Sequence, residues 1–238
     1  MVGDCLAMGG TGIAIDRREA ASALRWWLES GVDAAVQEAP RNWFARTAEA
    51  PEPGPEQPGE LPETLDSFRT WLSSSAEAPL ASPRAKAVLP QGCEGAEVMV
   101  LAEPPSREEL ASESPIGGEA AELMRKMLGA IGMADGAYVA NLACFVPPPG
   151  RLSDKQLEQC AAAARRHVAL ARPRRLLILG DAPSRALLGK PLLEARGHVH
   201  KVEGVRTVAT FHPRQLLRRA SDKALAWRDL LLLAEDEQ

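Results

Sequence analysis

Four short continuous apolar runs divide the second half of this 238-residue chain. They are Val98-Met99-Val100-Leu101-Ala102, Tyr138-Val139-Ala140-Asn141-Leu142, Arg175-Leu176-Leu177-Ile178-Leu179-Gly180 and Val205-Arg206-Thr207-Val208-Ala209-Thr210-Phe211. Runs of this length with little alternation suit strands covered on both faces. Apolar residues at helical spacing separate them. A helix is expected from about Pro115 through Leu123, Met124, Met127, Leu128 and Ile131, stopped by Gly132. Ser153 suits the cap of a long helix to about Leu170. A short helix follows from Pro183 to Leu188, and a last one from about Ser221 to Leu233 carries Leu225, Trp227, Leu230 and Leu231. The stretch Gly189 to Gly204 reads as an irregular crossover. Strand and helix in strict alternation predict an α/β fold, with four central strands in a parallel sheet and helices on both faces.

Before residue 84 the pattern changes. Ala20, Ala21, Leu24 and Trp26-Trp27-Leu28 predict a short helix from Asp16 to about Glu29, with Gly31 as its stop. Prolines at 40, 51, 53, 55, 58 and 62 then occur among Glu and Gly, a composition that buries too little apolar surface to offset chain entropy. Leu65, Phe68, Trp71 and Leu72 return to helical spacing and predict a short amphipathic helix packed on the main domain. The expected organisation is a helical extension over 1–45, a linker over 46–62 and an α/β/α domain over 63–238. Trp26, Trp27, Trp43 and Trp71 read as core residues rather than a cofactor box.

Composition narrows the class. Hydrophobic residues make up 45% of the chain but aromatics only 4%, so the core should be Leu, Ala and Val. No run approaches the eighteen or so apolar residues of a membrane helix, and the start lacks a signal-peptide pattern; a cytoplasmic, monomeric protein is expected. The net charge of −4 hides an asymmetry: residues 1–150 carry 11 Lys/Arg against 22 Asp/Glu, whereas 151–228 carry 17 against 6. A basic half on an acidic protein suits a polyanionic partner. The cysteines Cys5, Cys93, Cys144 and Cys160 contain no C-x-x-C pair, which argues against a zinc ribbon or redox dithiol.

The polar residues that end the four runs, Glu103, Asn141, Gly180-Asp181 and His212, should gather along one sheet edge. The carboxyl ends of strands are where open α/β sheets bind ligands. Pro213 cannot donate to a ladder and ends the last strand at His212. Glu103 or Glu109 suits a general base or water-positioning group, and Asn141 can present an amide to both donors and acceptors of a base edge. Gly117-Gly118 can open backbone N–H groups to a phosphate. Arg214, Arg218 and Arg219 supply charge for a phosphate backbone.

These residues carry a resemblance. From Ala102 to Met124 the chain resembles the first signature of the uracil-DNA glycosylase superfamily, closest to its iron–sulfur branch: Glu103, Pro105, Pro115, Gly118, Ala120 and Leu123 match. Asn141 with Pro147-Pro148 is similar to the family's Asn and Pro-Pro. Arg174 to Gly180 resembles its strand ending in Leu-Gly, and Thr210-Phe211-His212-Pro213 with Leu217-Arg218 resembles its second signature. The similarity spans about residues 95–232. It implies a three-layer α/β/α sandwich that flips uracil, or a related damaged base, out of DNA and hydrolyses its glycosidic bond. In that chemistry negative charge develops on the leaving base and positive charge on the sugar. His212 then suits a donor to the base, Asn141 and Ile116 its recognition, Glu103 or Glu109 the sugar side, Leu216 or Leu217 an apolar wedge in the stack, and the arginines the phosphates. Ala102, Ser106 and Ile116 depart from the family's Gly, Gly and aromatic residue, and Glu113 and Ala121 replace two further glycines. Cys144 and Cys160 have the spacing of two cluster ligands, but alignment on Asn141 and Pro147-Pro148 puts Phe145 at the ligand position. The remaining C-x-x-C pair is absent, so no metal or cofactor is expected. A non-catalytic DNA-binding protein of this fold, or a nucleotide- or phosphate-binding α/β domain, are the alternatives.

Overall fold

The computed structural model describes residues 62–82, 85–149 and 151–235, with residues 21, 22, 25–27, 29 and 30 near the N-terminus. The chain divides into two compact units, 1–57 and 58–238. In the first, the described positions from 21 to 29 are helical, and Trp26 and Trp27 are exposed rather than core. Cys5, Trp43, Gly31 and nearly all of the expected linker lie outside the described residues.

The second unit is built on one sheet. Strands β1 (Val98–Ala102), β2 (Tyr138–Asn141), β3 (Arg175–Leu179), β4 (Val199–Val202) and β5 (Val205–Thr210) lie in the order β2-β1-β3-β5-β4. All pairings are parallel except β4 with β5. Helix α1 (Leu65–Ser74) precedes the sheet; α2 (Arg107–Ser112) and α3 (Gly118–Ala130) join β1 to β2, and α4 (Asp154–Ala171) joins β2 to β3. Between β3 and β4 lie α5 (Asp181–Leu188) and α6 (Leu192–Ala195). After β5 come α7 (Pro213–Arg218), one 3-10 turn (Ala220–Asp222) and α8 (Lys223–Ala234).

The continuous apolar runs are buried on both faces because successive strand residues point to opposite sides. Met99, Leu101, Leu176 and Ile178 join one core with Phe68, Cys160, Ala163 and Leu187 from α1, α4 and α5. Val98, Val100, Leu177 and Leu179 join the other with Ala120, Leu128 and Leu230 from α3 and α8. Each fully buried Leu or Ile contributes about 1.5–3 kcal/mol from apolar surface removed from water. The architecture is therefore a three-layer α/β/α sandwich. Serine and threonine start its helices: Thr64, Ser106 and Ser153 each close a capping box, with Ser67, Glu109 and Gln156 respectively.

Helix α1 docks through more than its apolar face. Phe68 is fully buried, and Arg69 donates from Nη2 to the Gly92 carbonyl (2.6 Å) and from Nε to the Tyr138 hydroxyl (3.3 Å). The same hydroxyl pairs with His167 Nε2 at 2.7 Å, and burial, aided by the charge of Arg69, lowers the His167 pKa to about 3, so this imidazole is neutral.

The sheet has a fifth strand beyond the four expected. The stretch read as a crossover contains α6 and then β4, which turns back on β5 through Glu203-Gly204, both at positive φ (48° and 79°). Two residues at positive φ are what a tight hairpin between twisted strands needs. Helices α2 and α7 are two further short elements that the sequence pattern does not predict.

Candidate active site

Strand order fixes where the site lies. From β1 the chain runs to β2 on one side and then returns to β3 on the other, so the connections diverge at the β1–β3 boundary. The crevice at such a switch point is where doubly wound sheets bind ligands. Register then aligns the strand exits. Ala102 lies opposite both Asn141 and Leu179, and Leu179 lies opposite Thr210. Glu103, Asn141, Gly180 and His212 therefore leave the sheet along one edge.

Glu103 crosses the switch point. Its Oε1 accepts the backbone N–H of Asp181 at 3.1 Å, at the start of α5. Gly180 has φ 104°, and a Cβ on it would fall 2.4 Å from Glu103 Oε1, so this turn requires glycine both for its conformation and for the carboxylate's space. Burial pushes the Glu103 carboxyl above the usual range, opposed by the Asp181 N–H and the charge of Arg214. Glu103 nevertheless lines an open cleft of about 600 Å³ together with His212, Arg214, Gln215, Arg218 and Arg219.

His212 caps α7, with Pro213 at its first position. Its Nδ1 accepts from the Arg214 backbone N–H (3.2 Å) and from Arg214 Nε (3.4 Å). Burial first and the charge of Arg214 second lower its pKa to about 4, against the charge of Glu109. The ring is then neutral, with Nδ1 as acceptor and the proton on Nε2.

Asn141 stands behind Glu103. Its Nδ2 donates to the carbonyls of Glu103 (2.7 Å) and Pro115 (2.9 Å), while its buried Oδ1 has no partner. Two carbonyl neighbours fix the amide orientation. The expectation that it offers both donor and acceptor is therefore corrected: both N–H groups are engaged, and the free half is an acceptor.

Several other expected site residues are placed differently. Glu109 is only 1% exposed and is engaged by the Ser106 backbone N–H (2.9 Å), the Ser106 hydroxyl and Arg214 Nη1 (3.3 Å). Although burial by itself raises its pKa, the Ser106 hydrogen bonds and Arg214 hold this carboxyl below the usual range. It is a buried capping carboxylate that does not line the cleft. Ile116 is 2% exposed within the core that holds Val98 and Leu179, so it has no free face for a base to stack on. Gly118 starts α3 at φ 53°, and a Cβ there would lie 2.6 Å from Glu108 Oε1. The exposed Glu108 carboxylate thus stands beside the turn where a phosphate was expected.

Leu216 is 1% exposed and belongs to the core, which corrects its assignment as a wedge; Leu217, the next residue, is 43% exposed. Consecutive helical residues diverge by about 100°, so only one of the pair can face outward. Arg214 is tied to Glu109 and lies 4.0 Å from Glu103, and so is not a free phosphate contact. Arg218 and Arg219 are exposed on the cleft. Gln215 was missed. It joins the cleft because α7 is helical, which puts positions 212, 215 and 219 on one side. The histidine followed by proline was the available signal for that helix.

The described cysteines do not form a ligand set. Cys93 is exposed, whereas Cys144 and Cys160 are buried in the apolar core, where burial pushes their thiols up to about 12 and about 11. Cluster ligands are thiolates, and these sites favour the protonated form. Among the described residues, no group of three His, Cys, Asp or Glu side chains is placed to hold a metal ion.

Fold and cleft together define a doubly wound α/β/α protein with a carboxylate and a neutral imidazole at its switch point. The model of the uracil DNA glycosylase superfamily matches residues 89–231, and the chain belongs to that superfamily. The chain is 29% identical over 140 residues to the type-4 uracil-DNA glycosylase of Archaeoglobus fulgidus, covering 54% of this chain and 70% of that protein. It is 24% identical over 147 residues to the type-4 uracil-DNA glycosylase of Pyrobaculum aerophilum, covering 57% and 75%. No helix among the described residues is long and apolar enough to cross a membrane.

Proposed function

We propose that the protein hydrolyses the glycosidic bond of uracil in DNA, with the uracil nucleotide rotated out of the stack into the cleft between the exits of β1 and β5. The observation that carries the reading is the pairing of Glu103 with His212 on one cleft, and the unpartnered Oδ1 of Asn141 is buried at the neighbouring strand exit. The N1–C1′ bond breaks with its electron pair going to uracil. The Nε2–H of His212 donates to the carbonyl oxygen on which that charge is shared, and a neutral donor suffices because the charge arises only in the transition state. A water oxygen bonds to C1′, and Glu103 takes its proton. The products are an abasic sugar and the uracil anion, which takes up a proton on leaving while Glu103 returns its own to solvent.

Asn141 supports the choice of base. An acceptor with no partner in a buried site favours a base that presents an N–H there, as uracil does at N3. Cytosine presents a lone pair at that position, leaving two acceptors facing one another. We also propose that the activity needs no iron–sulfur cluster, on the ground of the buried, protonated Cys144 and Cys160. Protein purified without oxygen should then show no visible cluster absorbance.

The test is cleavage of a single-stranded oligonucleotide bearing one deoxyuridine, read as alkali-labile strand breaks, alongside a binding assay on the same strand. Release by the wild type and its loss in Glu103→Ala and His212→Ala supports the reading. Binding without release by the wild type would instead make this a DNA-binding protein that keeps the fold.

A further inference from the structure

The sequence places three arginines in and just after the helix that follows His212, and all three invite assignment as phosphate contacts. Only Arg218 and Arg219 are exposed. Arg214 turns back into the protein and touches each member of the acid–base set. Its backbone N–H and its Nε both point at Nδ1 of His212. Its Nη1 is 3.3 Å from Glu109 Oε2, and its Nη2 is 4.0 Å from Glu103 Oε2. Glu109 is buried, and its second oxygen, Oε1, has no partner. A carboxylate in that position would draw a proton onto the imidazole if no cation stood beside it.

From this juxtaposition we infer that Arg214 is a positioning residue: it holds His212 as the neutral imidazole with its proton on Nε2, and it separates the charges of Glu103 and Glu109. The inference deepens the proposed glycosylase reading and rests on it for its catalytic meaning, although the state of the imidazole can be tested without activity. The charged groups that face the ring are Arg214 from its own helix, Glu109 from α2 and Glu103 from the β1 exit; Arg218 and Arg219 line the same cleft.

The signs follow from the charges. The cation of Arg214 disfavours imidazolium, while Glu109 favours it. Replacing Arg214 by a neutral side chain removes the first influence and leaves the second uncompensated, so His212 should take a proton at higher pH. The same change removes a lowering influence on Glu103, whose carboxyl should then ionise at higher pH. Lysine keeps the charge but loses the Nε contact to Nδ1. The two substitutions therefore separate charge from hydrogen-bond geometry.

The experiment is nitrogen-detected NMR of histidine-labelled full-length protein across pH, in the wild type, Arg214→Gln and Arg214→Lys. Four histidines make the spectrum assignable, and buried His167 reports whether a variant has kept its fold. The wild type should show His212 as the Nε2–H tautomer at neutral pH. In Arg214→Gln its midpoint should rise by about one pH unit or more, toward the ordinary value of about 6.5, while in Arg214→Lys it should stay low. In single-turnover release, Arg214→Gln should be slower by about tenfold or more, with the salt dependence of DNA binding unchanged. An unchanged midpoint in Arg214→Gln, or the Nδ1–H tautomer in the wild type, would overturn the inference. So would an unaltered rate with a salt slope shallower by about 0.7, the signature of one lost phosphate contact on a single strand. If the wild type releases no uracil, the glycosylase reading fails, and the NMR result still decides the role of Arg214.

Discussion

In the proposed reaction Glu103 and His212 would divide the chemistry because their surroundings push them in different directions. Burial raises the pKa of one and lowers that of the other, so an ionised Glu103 and a neutral His212 coexist only above the raised Glu103 pKa. A base works deprotonated. Uracil release should therefore be present above that pKa and fall as the pH drops through it, with a midpoint above the ordinary carboxylate value of about 4.3. A single-turnover pH–rate profile reads this directly, and Glu103→Gln should lose about a hundredfold or more at neutral pH and lose the acid limb too. The two leucines of α7 make a second residue-scale contrast. Leu217→Ala should slow release from double-stranded DNA more than from single strands, because only a duplex leaves a gap in its stack for an apolar wedge to fill. Leu216→Ala should instead destabilise the fold by about 2–5 kcal/mol, read by urea unfolding. Polar residues after apolar runs made Glu103, Asn141 and His212 legible in the sequence. The commitments of Glu109, Leu216 and Arg214 were not legible, since each depends on the rotation of a short helix that carries no periodic pattern of its own.

At the scale of elements, the site depends on how the end of β5 is held. Thr210 Oγ1 donates to Asp229 Oδ2 at 2.7 Å, and Arg196 binds the same fully buried carboxylate through two contacts at 3.0 Å. Arg196 also donates to the Leu225 carbonyl and lies over the Phe211 ring. One buried ion pair thus joins α6, β5 and α8 immediately before His212. Asp229→Ala leaves a mostly buried guanidinium unpaired and should cost about 3–5 kcal/mol, measured as a shift in the denaturant midpoint. Parallel strands and their helices could be read from apolar runs of five or so residues. The β4–β5 hairpin was missed for a different reason: Val199-His200-Lys201-Val202 is a half-exposed edge strand, too polar to stand out. Its turn residues, Glu203-Gly204 between two valines, were the usable signal.

For the molecule as a whole, two of the basic second half's exposed arginines acquire a location. Arg218 and Arg219 flank the cleft at the carboxyl edge of the sheet, where a DNA strand would pass to deliver a nucleotide to Glu103 and His212. Removing either charge should weaken binding to all single strands alike and reduce the salt slope by about 0.7, without moving the pH profile of release. Membership of the uracil DNA glycosylase superfamily accounts for the sandwich and the ordered strand exits, which the sequence carried as short motifs spread over the domain. Those motifs did not reveal that Ile116 is enclosed in the core.

The most direct measurement of the central claim is a double-mutant cycle on single-turnover uracil release, using the wild type, Glu103→Ala, His212→Ala and the double variant. The account predicts release by the wild type, a loss of about a hundredfold or more in each single variant, and a double variant little worse than the poorer single, because the two groups act on one transition state. Wild-type protein that releases no uracil from the deoxyuridine strand, or single variants that keep the wild-type rate, would contradict it.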